Sequence, residues 1–318
     1  MRRRVSMRLC VVLRSYGGDN DKNRPDFYSK DLALASFLRA ARTAADRGVD
    51  LRVVFANDGP IPADRLATMS AAGEVRTTEN GPVGLLNSYR FALDLPDALG
   101  LADDDAIAYV EDDYLLRDDA FCVLADGFAE LPDVDYLAIA GTRPEDMNDK
   151  AERDLHGTPQ VWDALPDRTA GGRTWINIMS VTSTFAARVG PLRADRDIHE
   201  LAMRPFRNRF LDHEMCLIYQ GITPYHGTDY FFGLPGDFVP GLRGVARAVR
   251  LLPYRFELNA RAKAQTTPHL LYAVAPQVAA HLELGMMSTD HDWAAEAAEV
   301  REWAETNGID VQAGHRTV

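Results

Sequence analysis

Short apolar runs alternate with amphipathic stretches along the first third of the chain. The runs are rich in β-forming residues and predict strands, while apolar positions three and four residues apart in the stretches between them predict helices. The predicted strands are Leu9 to Leu13, Leu51 to Ala56, Val75 to Thr78 and Ala106 to Val110, and the predicted helices are Leu32 to Ala45, Ile61 to Ala72 and Val83 to Leu93. This alternation predicts an α/β fold with a Rossmann-like, mostly parallel sheet that has helices on both faces.

The pattern becomes less regular after residue 140. Gly141 to Thr174 is polar and rich in proline, which is typical of a lid or a substrate loop. Further predicted elements are a helix at Asp119 to Ala129, a strand at Tyr136 to Ala140, a strand at Trp175 to Phe185, and helices at Arg209 to Tyr219 and Asp292 to Asn307. We therefore expect an α/β half at 1–140, a second half with the loop or lid at 141–240, and a C-terminal helical extension at 241–318.

Three acids, Glu111, Asp112 and Asp113, directly follow the apolar run that ends at Val110. Ligands of parallel sheets bind at the carboxyl ends of the strands. Carboxylates there can hold Mg²⁺ or Mn²⁺, and such an ion stabilises the charge on a departing diphosphate. The alternative is a solvated acidic turn, and the three acids alone do not distinguish the two.

Other polar residues follow the predicted strands and precede a predicted helix. Tyr16 can stack on a base, Arg14 can meet a phosphate, and a carboxylate such as Asp58 can accept from a base or a ribose hydroxyl. A glycine such as Gly84 permits close approach to a phosphate at a helix N-terminus. Each has a plain alternative, because Asn57, Asp58 and Gly59 also suit a turn, and the rest suit a strand edge or a helix start.

In this order and spacing, the motifs resemble the GT-A glycosyltransferases, in particular those of family 2. The resemblance covers roughly residues 8 to 140, with Glu standing where the first acid of the DXD motif is usually Asp. It implies a nucleotide-sugar donor and a divalent cofactor, Mn²⁺ or Mg²⁺, held by Glu111 and Asp113. The donor-binding residues that it implies are Arg14, Tyr16, Asn57, Asp58, Gly84, Asn87 and Asp112.

The same resemblance implies a catalytic base at the start of a helix well after the metal motif. Asp212 fits that position, with Glu214 as its substitute, although acids in the first helical turn are also ordinary caps. Some GT-A enzymes complete the metal shell with a late histidine, for which His226 and His269 are candidates. Trp175 is a candidate for stacking on a sugar and equally for the core.

Composition narrows the remaining choices. The net charge of −12 argues against a surface that grips nucleic acid throughout. The basic stretch 243–263 nevertheless suits an anionic acceptor, a nucleic acid or a phospholipid surface, and equally a solvated helix that pairs with the acidic body. Three widely spaced cysteines suggest buried thiols in a reducing compartment, no run is long enough to span a membrane, and we expect a cytoplasmic protein.

The resemblance thus implies a metal-dependent glycosyltransferase that inverts the configuration at the anomeric carbon, with Asp212 as general base. Two alternatives stay open. A sugar-phosphate nucleotidyltransferase would share the sheet, although 16–22 is a poor version of its phosphate loop. A non-catalytic nucleotide-sugar-binding protein would retain the site without turnover. The glycine patterns of dehydrogenases and P-loop proteins do not occur after the predicted strands.

Overall fold

A computed structural model describes residues 7–18, 23–141, 143, 162–206, 210–233 and 241–311. The strands are β1 (Leu9–Tyr16), β2 (Leu51–Asp58), β3 (Glu74–Thr77), β4 (Ala106–Glu111), β5 (Tyr114–Leu116), β6 (Tyr136–Ala138), β7 (Arg168–Ala170), β8 (Arg173–Asn177), β9 (Phe185–Arg188), β10 (Leu271–Ala275) and β11 (Ala279–His281). The helices are α1 (Lys30–Asp46), α2 (Ala63–Ala72), α3 (Leu85–Leu93), α4 (Leu95–Ala98), α5 (Ala120–Glu130), α6 (Val189–Ala194), α7 (Arg196–Met203), α8 (Asp212–Tyr219), α9 (Asp229–Phe232), α10 (Leu242–Lys263) and α11 (Trp293–Thr306).

Nine strands form one sheet in the order β3-β2-β1-β4-β9-β6-β10-β8-β7. The first four run parallel, as the strand and helix alternation predicts. Beyond β4 the sheet also contains antiparallel pairs, since β9 runs against both β4 and β6. The predicted α/β fold class is confirmed, and the parallel part is the part that brings the polar strand ends to one edge.

Both faces of the sheet are covered, because side chains of a strand alternate between its two faces. Leu9, Val11 and Leu13 of β1 point into a core that α1 and α5 close. Cys10 and Val12 point to the opposite core, which α3, α4, α6, α7, α8 and α10 cover. The helices on both faces are therefore also confirmed.

The chain after residue 240 is more than the helical extension that the sequence predicted. Its helices α10 and α11 are present, but β10 lies inside the main sheet, parallel to β6 and antiparallel to β8. The reason is the apolar run Leu271–Ala275, of which all residues but the last are buried. A second strand, β11, pairs with β5 next to the acidic motif.

The predicted strand from Trp175 to Phe185 is wrong in extent. The structure has β8 up to Asn177 and β9 from Phe185, with irregular backbone between them. Two threonine side chains of that segment bond to neighbouring elements: Thr184 accepts from the Glu111 amide at 3.2 Å, and the Thr182 hydroxyl lies 3.3 Å from the Tyr114 hydroxyl. Most of the predicted loop at 141–174 lies outside the described residues.

Two expectations from composition concern the cysteines and membrane-spanning segments. All three cysteines are buried and free, and burial raises the pKa of Cys10 to about 12. Among the residues that the structure describes, no helix is both long and apolar enough to cross a membrane.

Candidate active site

A cavity of about 520 Å³ opens at the carboxyl ends of β1, β2 and β4. Its position is the one expected for ligands of an open parallel sheet. It is lined by Arg14, Ser15, Tyr16, Arg24, Tyr28, Lys30, Ala56, Asp58, Pro82, Gly84, Leu85, Ser88, Phe91, Glu111, Asp112 and Asp113.

Strand pairing explains why residues far apart in sequence meet there. Tyr16 is the register partner of Asp58, and Arg14 is the partner of both Ala56 and Glu111. Parallel strands end at the same edge, so the polar residue after each apolar run arrives at one place. Of the predicted donor and metal residues, the cavity brings together Arg14, Tyr16, Asp58, Gly84, Glu111, Asp112 and Asp113.

Asp112 is held by groups of the protein itself. Its Oδ2 accepts from Lys30 Nζ at 2.8 Å and from the Tyr16 amide at 3.1 Å. Burial raises the pKa of this carboxyl, and the Lys30 charge only partly opposes the rise. The same ammonium lies 3.5 Å from the centroid of the Tyr16 ring and donates to the Tyr16 carbonyl at 3.0 Å. Lys30 and Asp112 therefore position Tyr16 at the cavity wall.

Asp113 contacts two side chains through one oxygen. Oδ2 accepts from Arg24 Nη2 at 2.8 Å and lies 3.1 Å from His281 Nε2. Burial alone would raise the pKa of Asp113, but the hydrogen bonds and charges of His281 and Arg24 outweigh it, and the pKa is lowered. His281 is placed by the β11–β5 pairing, where it faces Tyr114 and stacks on that ring with centroids 5.0 Å apart.

Glu111 is the third acid of the motif, and it faces Arg14. The closest contact is 3.5 Å between Oε1 and Nη1. Burial raises the pKa of Glu111, and the Asp113 charge adds to the rise while Arg14 opposes it. Arg14 also lies over the Tyr89 ring, 5.1 Å from its centroid. Each acid of the motif thus has its own cation: Arg14, Lys30 or Arg24.

Asp58 fixes the loop on the other side of the cavity. Its two oxygens accept from the amides of Val83 at 2.7 Å and Gly84 at 3.0 Å, just before α3 begins. Gly59 next to it has φ +80, and a Cβ there would lie 2.7 Å from the Pro82 nitrogen. A carboxylate has about four acceptor positions, so Asp58 keeps capacity for a ligand. Asn57 is fully buried and does not line the cavity.

Whether these residues suit a divalent cation can be tested on their geometry. The described part of the chain contains no group of three or more His, Cys, Asp or Glu side chains arranged around one metal position. Asp113 and His281 form a pair, however, and the second oxygen of Asp113, Oδ1, is buried without a hydrogen-bond partner. A carboxylate and an imidazole suit Mn²⁺, and phosphate or water oxygens commonly complete such a shell. Asp113 and His281 therefore suit a divalent metal whose shell is completed by oxygens of a bound phosphate ligand or of water.

The two candidate bases differ in surroundings. Glu214 is buried, and its Oε1 accepts from the Tyr225 hydroxyl at 2.5 Å. Asp212 is the first residue of α8 and is half-buried. Phe210, two residues before Asp212, stacks on the Tyr89 ring over which Arg14 lies. Neither acid lines the cavity.

The two histidines proposed from the sequence as metal ligands have other contacts. His226 Nε2 lies 2.9 Å from the Thr223 hydroxyl. His269 Nδ1 lies 2.6 Å from Asp195 Oδ2 on the other side of the core. The histidine beside Asp113 is His281, which the sequence did not indicate.

Two further candidates lie outside the cavity. Asn87 is in the first turn of α3, where its side-chain amide Nδ2 donates to the Val83 carbonyl at 3.2 Å. Trp175 is completely buried and donates to the Ala170 carbonyl at 3.2 Å, so it is a core residue and cannot stack on a sugar.

Arg24 and Lys30 line the cavity and His281 lies beside Asp113, and the sequence indicated none of these three. Lys30 begins α1 after the Ser29 cap, and basic residues at a helix start carry no distinctive signal. His281 follows the short apolar run Val278 to Ala280, which was a usable indication of a strand. Its proximity to Asp113 depends on the β11–β5 pairing, which no local pattern encodes.

No family model and no curated protein matches the sequence. Similar solved structures include residues 1–349 of S. aureus TarS, with 16% identity over 66% of this chain and a TM-score of 0.40. The galactosyltransferase LgtC, in complex with donor and acceptor sugar analogues, has 13% identity and a TM-score of 0.42, with 96% of this chain and 98% of that chain covered. Glucosyl-3-phosphoglycerate synthase from Mycobacterium tuberculosis, in complex with Mn²⁺, UDP-glucose and phosphoglyceric acid, has 13% identity and a TM-score of 0.37 over 80% of each chain.

This chain spans 54% of the TarS fragment. Since all three TM-scores are below 0.5, the family, the substrate and the site residues rest on the cavity itself.

Proposed function

We propose that this protein is a glycosyltransferase that takes a sugar from a nucleotide-sugar donor to an acceptor hydroxyl. The observation that carries the proposal is that Asp113 and three cations line one cavity at the carboxyl ends of β1, β2 and β4, with His281 beside Asp113. Cations and a metal-binding pair at one site suit a diphosphate, and the Tyr16 ring beside them suits a base.

In this proposal Asp113 and His281 would hold Mn²⁺ or Mg²⁺, and the bound ion would supply positive charge to the leaving diphosphate. Arg14 and Arg24 supply further positive charge to the phosphates. Asp112 serves the donor indirectly, because it fixes the Tyr16 amide through its own carboxylate. Glu111 contributes negative charge near the metal pair and keeps Arg14 in place.

For the acceptor step we propose inversion, with Asp212 as general base. Glu214 is the weaker candidate, because its carboxylate is buried and bonded to Tyr225. An inverting base removes the proton from the acceptor hydroxyl as the oxygen attacks the sugar carbon. Asp212→Asn should then abolish transfer and leave donor binding nearly unchanged. Loss of donor binding together with transfer would assign Asp212 to the fold instead.

The donor proposal is tested by calorimetric titration of UDP-, GDP-, CMP- and dTDP-sugars with and without Mn²⁺. One class should bind more tightly with the ion, and Asp113→Asn and His281→Ala should each remove the effect of Mn²⁺. His226→Ala is the matched control, since that histidine bonds to Thr223 outside the cavity. An unchanged Mn²⁺ effect in the Asp113 and His281 variants would refute the metal assignment.

Turnover separates the proposal from the two alternatives. A nucleotidyltransferase would release pyrophosphate from a nucleoside triphosphate, and its phosphate loop would have to include 19–22, which lies outside the described residues. A non-catalytic protein would bind the donor without forming product in a screen of acceptors. Transfer of sugar without pyrophosphate release supports the glycosyltransferase.

A further inference from the structure

Helix α10 has two apolar faces, and only one of them is used by the fold. Leu258 and Ala262 of the inner face pack into the core below the sheet. On the outer face, Leu242, Val245 and Val249 have relative exposures of 90%, 62% and 68%. A helix surface that exposes large side chains in a row is unusual for a region that does nothing but cover a core.

The exposed residues form one continuous stripe. The spacings from Leu242 to Val245, from Val245 to Val249 and from Val249 to Phe256 are three, four and seven residues, which places all four on one face of a helix. Phe256 is 54% exposed, and its ring also stacks on Tyr230 with centroids 4.7 Å apart. The freely exposed part of the stripe is therefore Leu242, Val245 and Val249 in the first half of α10, and it points away from the core that holds the opposite face.

Positive charge borders the stripe along one side. Arg243 and Arg250 are exposed and two turns apart, which puts them on the same edge. The sequence has no acid from Leu242 to Phe256, although the whole chain carries a net charge of −12. The first acid, Glu257, is bonded to Arg204 at 2.7 Å. This surface is thus basic and apolar on an otherwise acidic protein.

We propose that the outer face of α10 binds the surface of an anionic lipid bilayer. An apolar stripe flanked by arginines on a helix that lies flat is the arrangement by which amphipathic helices enter the headgroup region. The valines and Leu242 reach the acyl boundary while Arg243 and Arg250 meet the lipid phosphates. A nucleic acid would use the arginines and leave the apolar stripe in water, so the bilayer accounts for both features.

The test is co-sedimentation of the full chain with vesicles of phosphatidylcholine, alone or mixed with phosphatidylglycerol. The wild-type chain should bind the mixed vesicles and bind pure phosphatidylcholine far more weakly. Val245→Asp with Val249→Asp should reduce the partition at least about a hundredfold, because charges replace two apolar side chains that insert into the bilayer. Arg243→Gln with Arg250→Gln should reduce it about thirtyfold, and high salt should mimic that loss.

Matched controls separate the face from general effects. Leu284→Asp changes an exposed apolar residue elsewhere, and Arg42→Gln removes an exposed arginine of α1. Both should bind like the wild-type chain, and thermal unfolding should show that every variant is folded. The proposal is overturned if the wild-type chain ignores the mixed vesicles or if the valine variant binds them equally. It is also overturned if the face instead binds an oligonucleotide or joins two copies of the chain in solution.

Discussion

Replacing Lys30 by methionine should destabilise the protein more than most single substitutions. The ammonium and the Asp112 carboxylate are 2.8 Å apart, and their side chains are 1% and 12% exposed. Methionine keeps an unbranched apolar chain that is one atom shorter and removes the charge, so a buried carboxylate is left without its charged partner. Breaking a buried pair in this way costs about 3 to 5 kcal/mol of unfolding free energy.

A second substitution isolates the reason for that loss. Asp112→Asn in the Lys30→Met background removes the uncompensated charge, while the asparagine oxygen can still accept from the Tyr16 amide. The double variant should regain at least about 2 kcal/mol, which leaves mainly the lost hydrogen bond to the Tyr16 carbonyl. Urea unfolding followed by circular dichroism measures both differences. A loss below about 1 kcal/mol for Lys30→Met, or no recovery in the double variant, would refute the charge argument.

The same pair of variants separates stability from binding. If Lys30 acts by neutralising Asp112 and positioning Tyr16, the double variant should bind the nucleotide sugar within a few-fold of the wild-type chain. A large loss of affinity in a stable double variant would show that the Lys30 ammonium contacts the donor itself.

Two other predictions concern stability. Burial lowers the pKa of His199 to about 4, so its contribution to stability is complete above its unfolded pKa of about 6.5 and is lost as pH falls toward 4. The loss should approach about 3 kcal/mol and should be absent in His199→Gln. Urea unfolding at several pH values measures it. Gly59→Ala should cost about 1 to 3 kcal/mol more than Gly100→Ala, since both have positive φ but only at Gly59 would a Cβ meet backbone atoms; equal melting temperatures would contradict this.

The parallel part of the fold and the cavity edge could be predicted because their signals are local. Strands β1, β2 and β4 each contain an apolar run, and parallel pairing brings the polar residues after these runs to one edge. Tyr16, Asp58 and Glu111 lie within three residues of the runs and reach the cavity in this way. His281 does not, because it is 168 residues from Asp113 and reaches it through the β11–β5 pairing. Helix α8 was predicted, yet which of its acids faces a ligand depends on packing that periodicity does not report.

Pairing of Asp113 with Arg24 has a consequence for how the site would take up a metal. Oδ2 already accepts from Arg24 and from His281, so an ion that binds this oxygen must compete with both. A diphosphate offers Arg24 a new anionic partner and adds oxygen ligands for the ion, and both effects favour the metal-bound arrangement. Mn²⁺ should therefore bind weakly alone and more tightly once the nucleotide diphosphate is present.

Because the coupling is reciprocal, Mn²⁺ must improve nucleotide affinity by the same factor. Arg24→Gln should strengthen binding of Mn²⁺ alone and reduce that factor, and calorimetry of the two titrations in either order measures it. Tight binding of Mn²⁺ to the wild-type chain without nucleotide would contradict this account of the Arg24–Asp113 pair.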